Sequence, residues 1–304
     1  MVDTSREPAE PGAQPGGAHH FPDGLIDGAH LRELLGSPDL VILDCRHDLA
    51  QPEAGRQQYA QGHIPGAVFA HLDHDLAGAR TGSNGRHPLP DRETLAARLG
   101  SWGVGPASRV VAYDASEGAY AARAWWLLRW LGHGRVAVLD GGWNAWLAAG
   151  LPVDAQQPEP VPGHFHVGIP LQAVTDVSAV LAHALAPARA GMLLLDARAP
   201  DRFEGRNETI DPVGGHIPGA VNRFWKDNLD GHGRFKTAAA LRGEYGALLE
   251  GRAPQQVVAQ CGSGVTACHD LLALHLAGLP GAALYPGSWS EWIADPSRPV
   301  AQGA

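Results

Sequence analysis

One seven-residue segment of this chain occurs twice without change: Gly62-His63-Ile64-Pro65-Gly66-Ala67-Val68 returns as Gly215-His216-Ile217-Pro218-Gly219-Ala220-Val221. Its neighbours return in the same order. Leu43-Asp44-Cys45-Arg46 recurs as Leu195-Asp196-Ala197-Arg198, Val110-Val111-Ala112 as Val257-Val258-Ala259, and Gly142-Trp143-Asn144-Ala145-Trp146 more loosely as Ser288-Trp289-Ser290-Glu291-Trp292. Matching landmarks in matching order require one module built twice, and 304 residues suffice for two domains of ordinary size. The expected boundaries are a first domain over 21–150, a linker over 151–165 and a second domain over 166–304. Four prolines between Leu151 and Gly163 make that linker extended. Residues 1–20 are polar and rich in Pro, Gly and Ala, without an apolar core, and are expected to form a disordered tail.

Within each module short apolar runs alternate with helical patterns. In the second, strands are predicted at Met192–Leu195, Ala220–Asn222, Val257–Gln260 and Ala282–Tyr285, with helices near Val177–Leu185, Ala238–Leu249 and Ala267–Ala277. That alternation predicts an α/β fold: two tandem domains, each a mostly parallel sheet flanked by helices. Ligands of such sheets bind beyond the carboxyl ends of the strands.

Composition narrows the function. A hydrophobic content of 44% predicts a packed core, and a net charge of −9 disfavours nucleic acid or an anionic membrane as partner. An anionic substrate then needs a local basic pocket. No apolar run reaches membrane-spanning length. Three cysteines, Cys45, Cys261 and Cys268, do not form a disulfide framework, suit a reducing, cytoplasmic setting, and lack zinc-ligand spacing.

Chemistry concentrates at Gln260-Cys261-Gly262-Ser263-Gly264-Val265-Thr266-Ala267. A β-branched run ends in a cysteine, a Gly-rich loop follows, and an apolar helical pattern begins. Such a loop turns backbone N–H groups inward with the positive end of a helix behind them. A thiol there is expected to ionise readily and act as a nucleophile. The repeat places Asp114 opposite Cys261, so the first module, with no thiol at that point, is expected to be non-catalytic and to form one wall of a cleft between the domains.

The loop Cys261-Gly262-Ser263-Gly264-Val265-Thr266-Ala267 resembles the active-site loop of the rhodanese superfamily, in the form carried by its 3-mercaptopyruvate sulfurtransferase branch, and the tandem modules resemble that family's arrangement over roughly residues 22–300. The resemblance implies that Cys261 carries a persulfide, that Ser263 and Asp73 take part in a relay, and that Gly262, Gly264, Val265 and Thr266 line the substrate. It implies that Arg202, in Asp196-Ala197-Arg198 followed by Arg202-Phe203, grips the donor, while Arg198 braces the strand end. His87 matches a family position near the site. For Asp73 and His87 a turn cap or a tie between the modules is the competing role; His63 and His216, present in both modules, are expected to be structural. The chain departs from the pattern at Thr209–Gly214, where a second substrate arginine is missing; Arg206 is the candidate substitute.

Three other readings compete with this one. A Cys-x5-Arg phosphatase needs an arginine where position 267 is alanine. Thiosulfate sulfurtransferases carry basic residues directly after the cysteine, where Gly262 and Ser263 are neutral. A non-catalytic rhodanese-like binding module tends to lose the cysteine. The favoured expectation is a cofactor-independent sulfurtransferase. It takes sulfur from 3-mercaptopyruvate, with thiosulfate as the alternative donor, and passes it to cyanide, a thiol or a thioredoxin-like protein.

Overall fold

The first half of the chain builds a five-stranded sheet from β1 (Gly24–Ile26), β2 (Leu40–Asp44), β3 (Ala67–Phe69), β4 (Arg109–Tyr113) and β5 (Val136–Leu139). The second half repeats it with β6 (Ala173–Val174), β7 (Leu193–Asp196), β8 (Ala220–Asn222), β9 (Val257–Gln260) and β10 (Ala283–Leu284). The strand orders are β1-β5-β4-β2-β3 and β6-β10-β9-β7-β8, the same topology twice, and every strand pair is parallel. These descriptions come from a computed structural model and cover residues 21–187 and 191–303; the tail expected at 1–20 lies outside the described residues.

The repeated landmarks occupy equivalent registers. Leu43 faces Ala112 in one sheet, and Leu195 faces Ala259 in the other. The central strands are fully buried on both faces, which is why they read as continuous apolar runs rather than as alternation. The edge strand β6 is two exposed residues, too short and too unpatterned to be legible. Residues 151–172 carry no helix or strand; Gly163 N–H donates to Gly100 at 2.8 Å, and Asp154 bridges to His63, so this segment runs along the first domain.

The shared segment Gly-His-Ile-Pro-Gly has an architectural cause. Arg46 Nη2 binds Asp44 Oδ2 at 2.6 Å and the Gly62 carbonyl at 2.7 Å; Arg198 Nη2 repeats this with Asp196 at 2.7 Å and Gly215 at 2.8 Å. Each buried arginine therefore ties a strand end to the start of the repeated loop, and the attached carboxylate neutralises it. His63 stacks on Tyr59 at 4.0 Å and His216 on Phe203 at 3.8 Å, and each Nδ1 bonds a backbone carbonyl at 2.9 Å. Both histidines sit in equivalent structural positions, as their presence in both modules suggested.

The two halves share a core. The helix Ala121–Trp130, buried from Ala121 through Leu128, packs against the helix Ala267–Leu276, buried from Ala267 through Leu274. One apolar cluster runs from Val110 and Leu127 of the first half to Cys268 and Leu272 of the second. Burial on nearly all sides explains why neither helix shows an amphipathic stripe.

His269 lies in this seam. Its Nδ1 accepts from the Asn228 side-chain amide at 3.2 Å, its Nε2 donates to the Glu117 carbonyl at 3.2 Å, and its ring stacks on Phe235 at 4.3 Å. Burial pushes its pKa down to about 3, because a second ring proton would face an N–H₂ group in a dry site. The unfolded histidine titrates near ~6.5, so below that pH the unfolded state binds the extra proton and stability falls with pH. Between about pH 7.5 and about pH 5.5 this group should remove roughly 1.4 kcal/mol. Urea melts at the two pH values are expected to show a loss smaller by about that amount in His269→Gln than in the wild type; equal losses would contradict the assignment.

Candidate active site

Cys261 stands at the carboxyl end of β9, and its side chain opens on a cavity of about 250 Å³ between the domains. Arg198, Arg202, Gly262, Ser263, Val265 and Thr266 line it from the second domain; Arg86 and Tyr120 line it from the first. The residue is 2% exposed. Gly264 N–H reaches Cys261 Sγ at 3.1 Å, and the helix Ala267–Leu276 starts just beyond, so an amide and a positive helix end both face the sulfur. Gly264 has φ +75°, and a Cβ there would lie 2.4 Å from the Pro286 carbonyl oxygen, so only glycine closes this turn.

A second strand-end loop holds the cysteine from behind. Cys261 N–H donates to Ser288 Oγ at 3.1 Å, and the Ser288 hydroxyl donates to the Tyr285 carbonyl at 2.9 Å. Ser288 adopts φ +53°, a left-handed conformation that costs a non-glycine residue about 1–2 kcal/mol. The equivalent Gly142 has φ +55°, where a Cβ would lie 2.3 Å from the Asp114 carbonyl oxygen. The second half thus keeps a strained serine where the first keeps glycine, and its hydroxyl serves the cysteine backbone.

The first module shows what this type of loop holds. Asp114 is fully buried and accepts four backbone N–H groups: Ser116 at 2.7 Å and Gly118 at 2.9 Å on one oxygen, Tyr120 and Ala121 at 2.8 Å on the other.

Asp73, His87 and Ser263 form a line across the domain boundary. Ser263 Oγ lies 2.7 Å from His87 Nδ1, and His87 Nε2 lies 3.2 Å from Asp73 Oδ1. Burial lowers the His87 pKa to about 3, so the ring is neutral near neutrality. A neutral ring with Nε2–H directed at the carboxylate leaves Nδ1 to accept the Ser263 proton. Asp73 and His87 line an adjoining cavity of about 530 Å³ that shares Leu49, Arg86 and Ile210 with the Cys261 cavity, making one continuous cleft.

Arg123 fixes loop and relay together. It is fully buried; Nη1 donates to the Gly264 carbonyl at 3.0 Å and Nη2 to the His87 carbonyl at 3.2 Å. Among the described residues no carboxylate pairs with it.

Arg202 faces the cysteine loop, as expected, but it is not solitary. Its Nε bonds both Glu208 oxygens at 3.0 Å, and its Nη2 meets Asp211 Oδ2 at 3.1 Å. Arg206 does not join the pocket. Its side chain is 67% exposed and pairs with Glu204, because the turn at Gly205 (φ +77°) sends the chain away from the cleft. Sequence reasoning missed Arg86, Arg123 and Ser288. Only Ser288 had a signal, its alignment with a glycine in the repeat. Trp289 is buried beneath the Arg198 guanidinium at 4.7 Å and donates to the Val213 carbonyl at 2.9 Å.

His47, His71 and Asp73 bring one potential ligand atom each within 4.8 Å of the others. Asp73 N–H donates to His71 Nδ1 at 3.1 Å, which puts the neutral ring's proton on Nε2 and leaves no lone pair for a metal. None of the helices among the described residues is long and apolar enough to cross a membrane.

The sequence profile of the Rhodanese-like domain matches residues 27–149 and 180–295. A Pseudomonas aeruginosa protein named "Probable 3-mercaptopyruvate sulfurtransferase" is 50% identical over 281 residues, 92% of this chain and 98% of that one. A Mycobacterium tuberculosis protein bearing a thiosulfate sulfurtransferase name is 40% identical over 286 residues, 92% of this chain and 97% of that one. The solved 3-mercaptopyruvate sulfurtransferase from Leishmania major superimposes with a TM-score of 0.77 at 30% identity, covering 89% of this chain and 74% of that one.

Proposed function

This chain belongs to the rhodanese family of tandem-domain sulfurtransferases, and on that premise we propose that it takes sulfur from 3-mercaptopyruvate and carries it as a Cys261 persulfide. The observation that carries the donor assignment is the neutral Gly262–Ser263 pair at the cleft. The relatives' names divide between two donors. Thiosulfate is a dianion, and its binding favours added positive charge beside the sulfur. Here Arg86 and Arg202 face the loop but are already partly neutralised by Glu208 and Asp211. That balance suits a monoanionic α-keto acid.

The reaction is a two-step transfer. The Cys261 thiolate attacks the donor sulfur; the S–S bond forms as the carbon–sulfur bond breaks, and its electron pair leaves with carbon as the enolate of pyruvate. The donor thiol gives up one proton and the enolate carbon takes one, leaving pyruvate and a persulfide anion. Ser263, His87 and Asp73 are aligned to shuttle that proton, Ser263 first and the imidazole behind it. The persulfide, stabilised by the Gly264 amide, then yields its outer sulfur to cyanide, a small thiol or a thioredoxin-like protein. The buried thiols Cys45, Cys261 and Cys268 fit a reducing, cytoplasmic setting.

The decisive measurement is kcat/KM for both donors under one acceptor. We expect 3-mercaptopyruvate to exceed thiosulfate by at least about tenfold, about 1.4 kcal/mol of transition-state binding. Replacing Gly262 with Arg and Ser263 with Lys should shift the balance toward thiosulfate. Equal efficiency in the wild type would assign the chain to the thiosulfate branch.

A further inference from the structure

The loop Thr209–Gly214 has no arginine, and Arg206 faces solvent, so Arg202, itself paired with Glu208 and Asp211, is the arginine that the second domain turns toward Gly262. The first domain supplies another cation at the same place. Arg86 lines the Cys261 cavity and also the adjoining one. A Cβ built on Gly262 would lie 2.9 Å from Arg86 Nη2, 3.6 Å from Arg202 Nη2 and 3.9 Å from Arg202 Nη1. Two guanidinium groups, one from each domain, therefore overhang the residue that follows the nucleophile.

Arg86 is held there by its own backbone. Its N–H donates to Ser290 Oγ at 3.0 Å, and a Cβ on the preceding Gly85 would lie 2.7 Å from the Gly287 carbonyl oxygen. The segment is thus clamped onto the second domain beside the Cys261 loop. Arg86 Nη1 pairs with Asp211, whose other oxygen meets Arg202 Nη2 at 3.1 Å. Asp211 is a side chain of 2% exposure standing between the two arginines, and it orients both. Arg86 Nη2 has no protein acceptor among the described residues and faces the loop, while the side chain remains 26% exposed.

Resting on the reading of the donor as a carboxylate-bearing thiol, we propose that Arg86 is the second anion contact of this site, delivered by the non-catalytic domain and positioned by Asp211. The donor is then gripped by one arginine from each domain, and the binding site is complete only where the domains meet. A forked cation beside an open N–H suits a planar carboxylate.

The test separates the anion grip from the identity of the donor. Iodoacetate and iodoacetamide alkylate a thiolate by the same displacement of iodide, and differ in that the first carries a carboxylate. The ratio of their rates at Cys261, followed by peptide mass spectrometry, reports anion attraction without any sulfur donor. Arg86→Ala should lower that ratio by about tenfold, the loss expected for one charge-assisted contact, and leave the iodoacetamide rate within about twofold. Arg202→Ala should lower it comparably, and Arg86→Lys should restore part of the loss, since it keeps the charge without the fork. Should the alanine protein fold poorly, Arg86→Gln carries the same expectation. KM for 3-mercaptopyruvate should rise as the ratio falls. If the ratio falls while 3-mercaptopyruvate fails as a donor in the wild type, the anion contact stands and the donor assignment falls. An unchanged ratio in Arg86→Ala or Arg86→Gln, with iodoacetamide reactivity intact, would overturn the proposal.

Discussion

Cys261→Ser should reduce sulfur transfer to the assay background with either donor. The expectation follows from the only thiol in the described structure that opens on the interdomain cavity and receives a loop amide. A serine hydroxyl holds the same hydrogen bonds but is not ionised at neutral pH and forms no stable bond to sulfur. Cys45 is the natural control. It is fully enclosed in the first domain, and burial, helped by the carboxylate of Asp114, pushes its thiol far up. Donor-treated wild-type and Cys45→Ser proteins should each gain the mass of one sulfur atom at Cys261, and the Cys261→Ser protein none. Sulfur found on Cys45 or Cys268 would move the site elsewhere.

His87→Ala should separate the two donors. With 3-mercaptopyruvate the leaving enolate must be protonated, and kcat/KM should fall by about 10²–10⁴, the usual contribution of a positioned acid–base group. Thiosulfate releases sulfite and requires no proton at carbon, so any activity toward it should change by less than about fivefold. The neutral state of the ring matters here. With a pKa lowered to about 3, the His87 ring is a neutral imidazole across the neutral range, and its Nδ1 serves as an acceptor for the Ser263 hydroxyl. Ser263→Ala should show the same donor asymmetry. A parallel loss with both donors would assign the His87 ring to holding the loop, through its contact with Ser263 Oγ, instead of to the proton.

Much of this molecule is written locally and so was legible. The strands Ala220–Asn222 and Val257–Gln260 and the helices Val177–Leu185 and Ala238–Leu249 appear at their expected bounds, because apolar periodicity and turn residues are properties of neighbouring residues. The repeat carried the topology, since two equal strings of landmarks fold into two equal sheets. The cleft is another matter. Arg86 and Arg123 act on the loop from the other domain, and no spacing within a sequence reports which side chain crosses an interface. Arg206 illustrates the converse. It lies near the right place in the chain, but a left-handed glycine one residue earlier decides its direction, and charge alone does not encode direction. Ser288 was readable only by comparing the halves, where a glycine of φ +55° faces a serine of φ +53°.

Asp114, with its four amide contacts, behaves as a ligand tethered inside its own receptor. Each such charge-assisted bond is worth about 1.5–3 kcal/mol over an unmade one, so the first domain converts its loop entirely into rigidity. The second domain forgoes that gain. Among its described contacts a single loop amide reaches Cys261 Sγ, and the backbone is held instead by a strained serine and by an arginine reaching across from the other half. The half whose loop carries an aspartate is thus satisfied from within, and through Arg123 it also holds the cysteine-bearing loop of the other half.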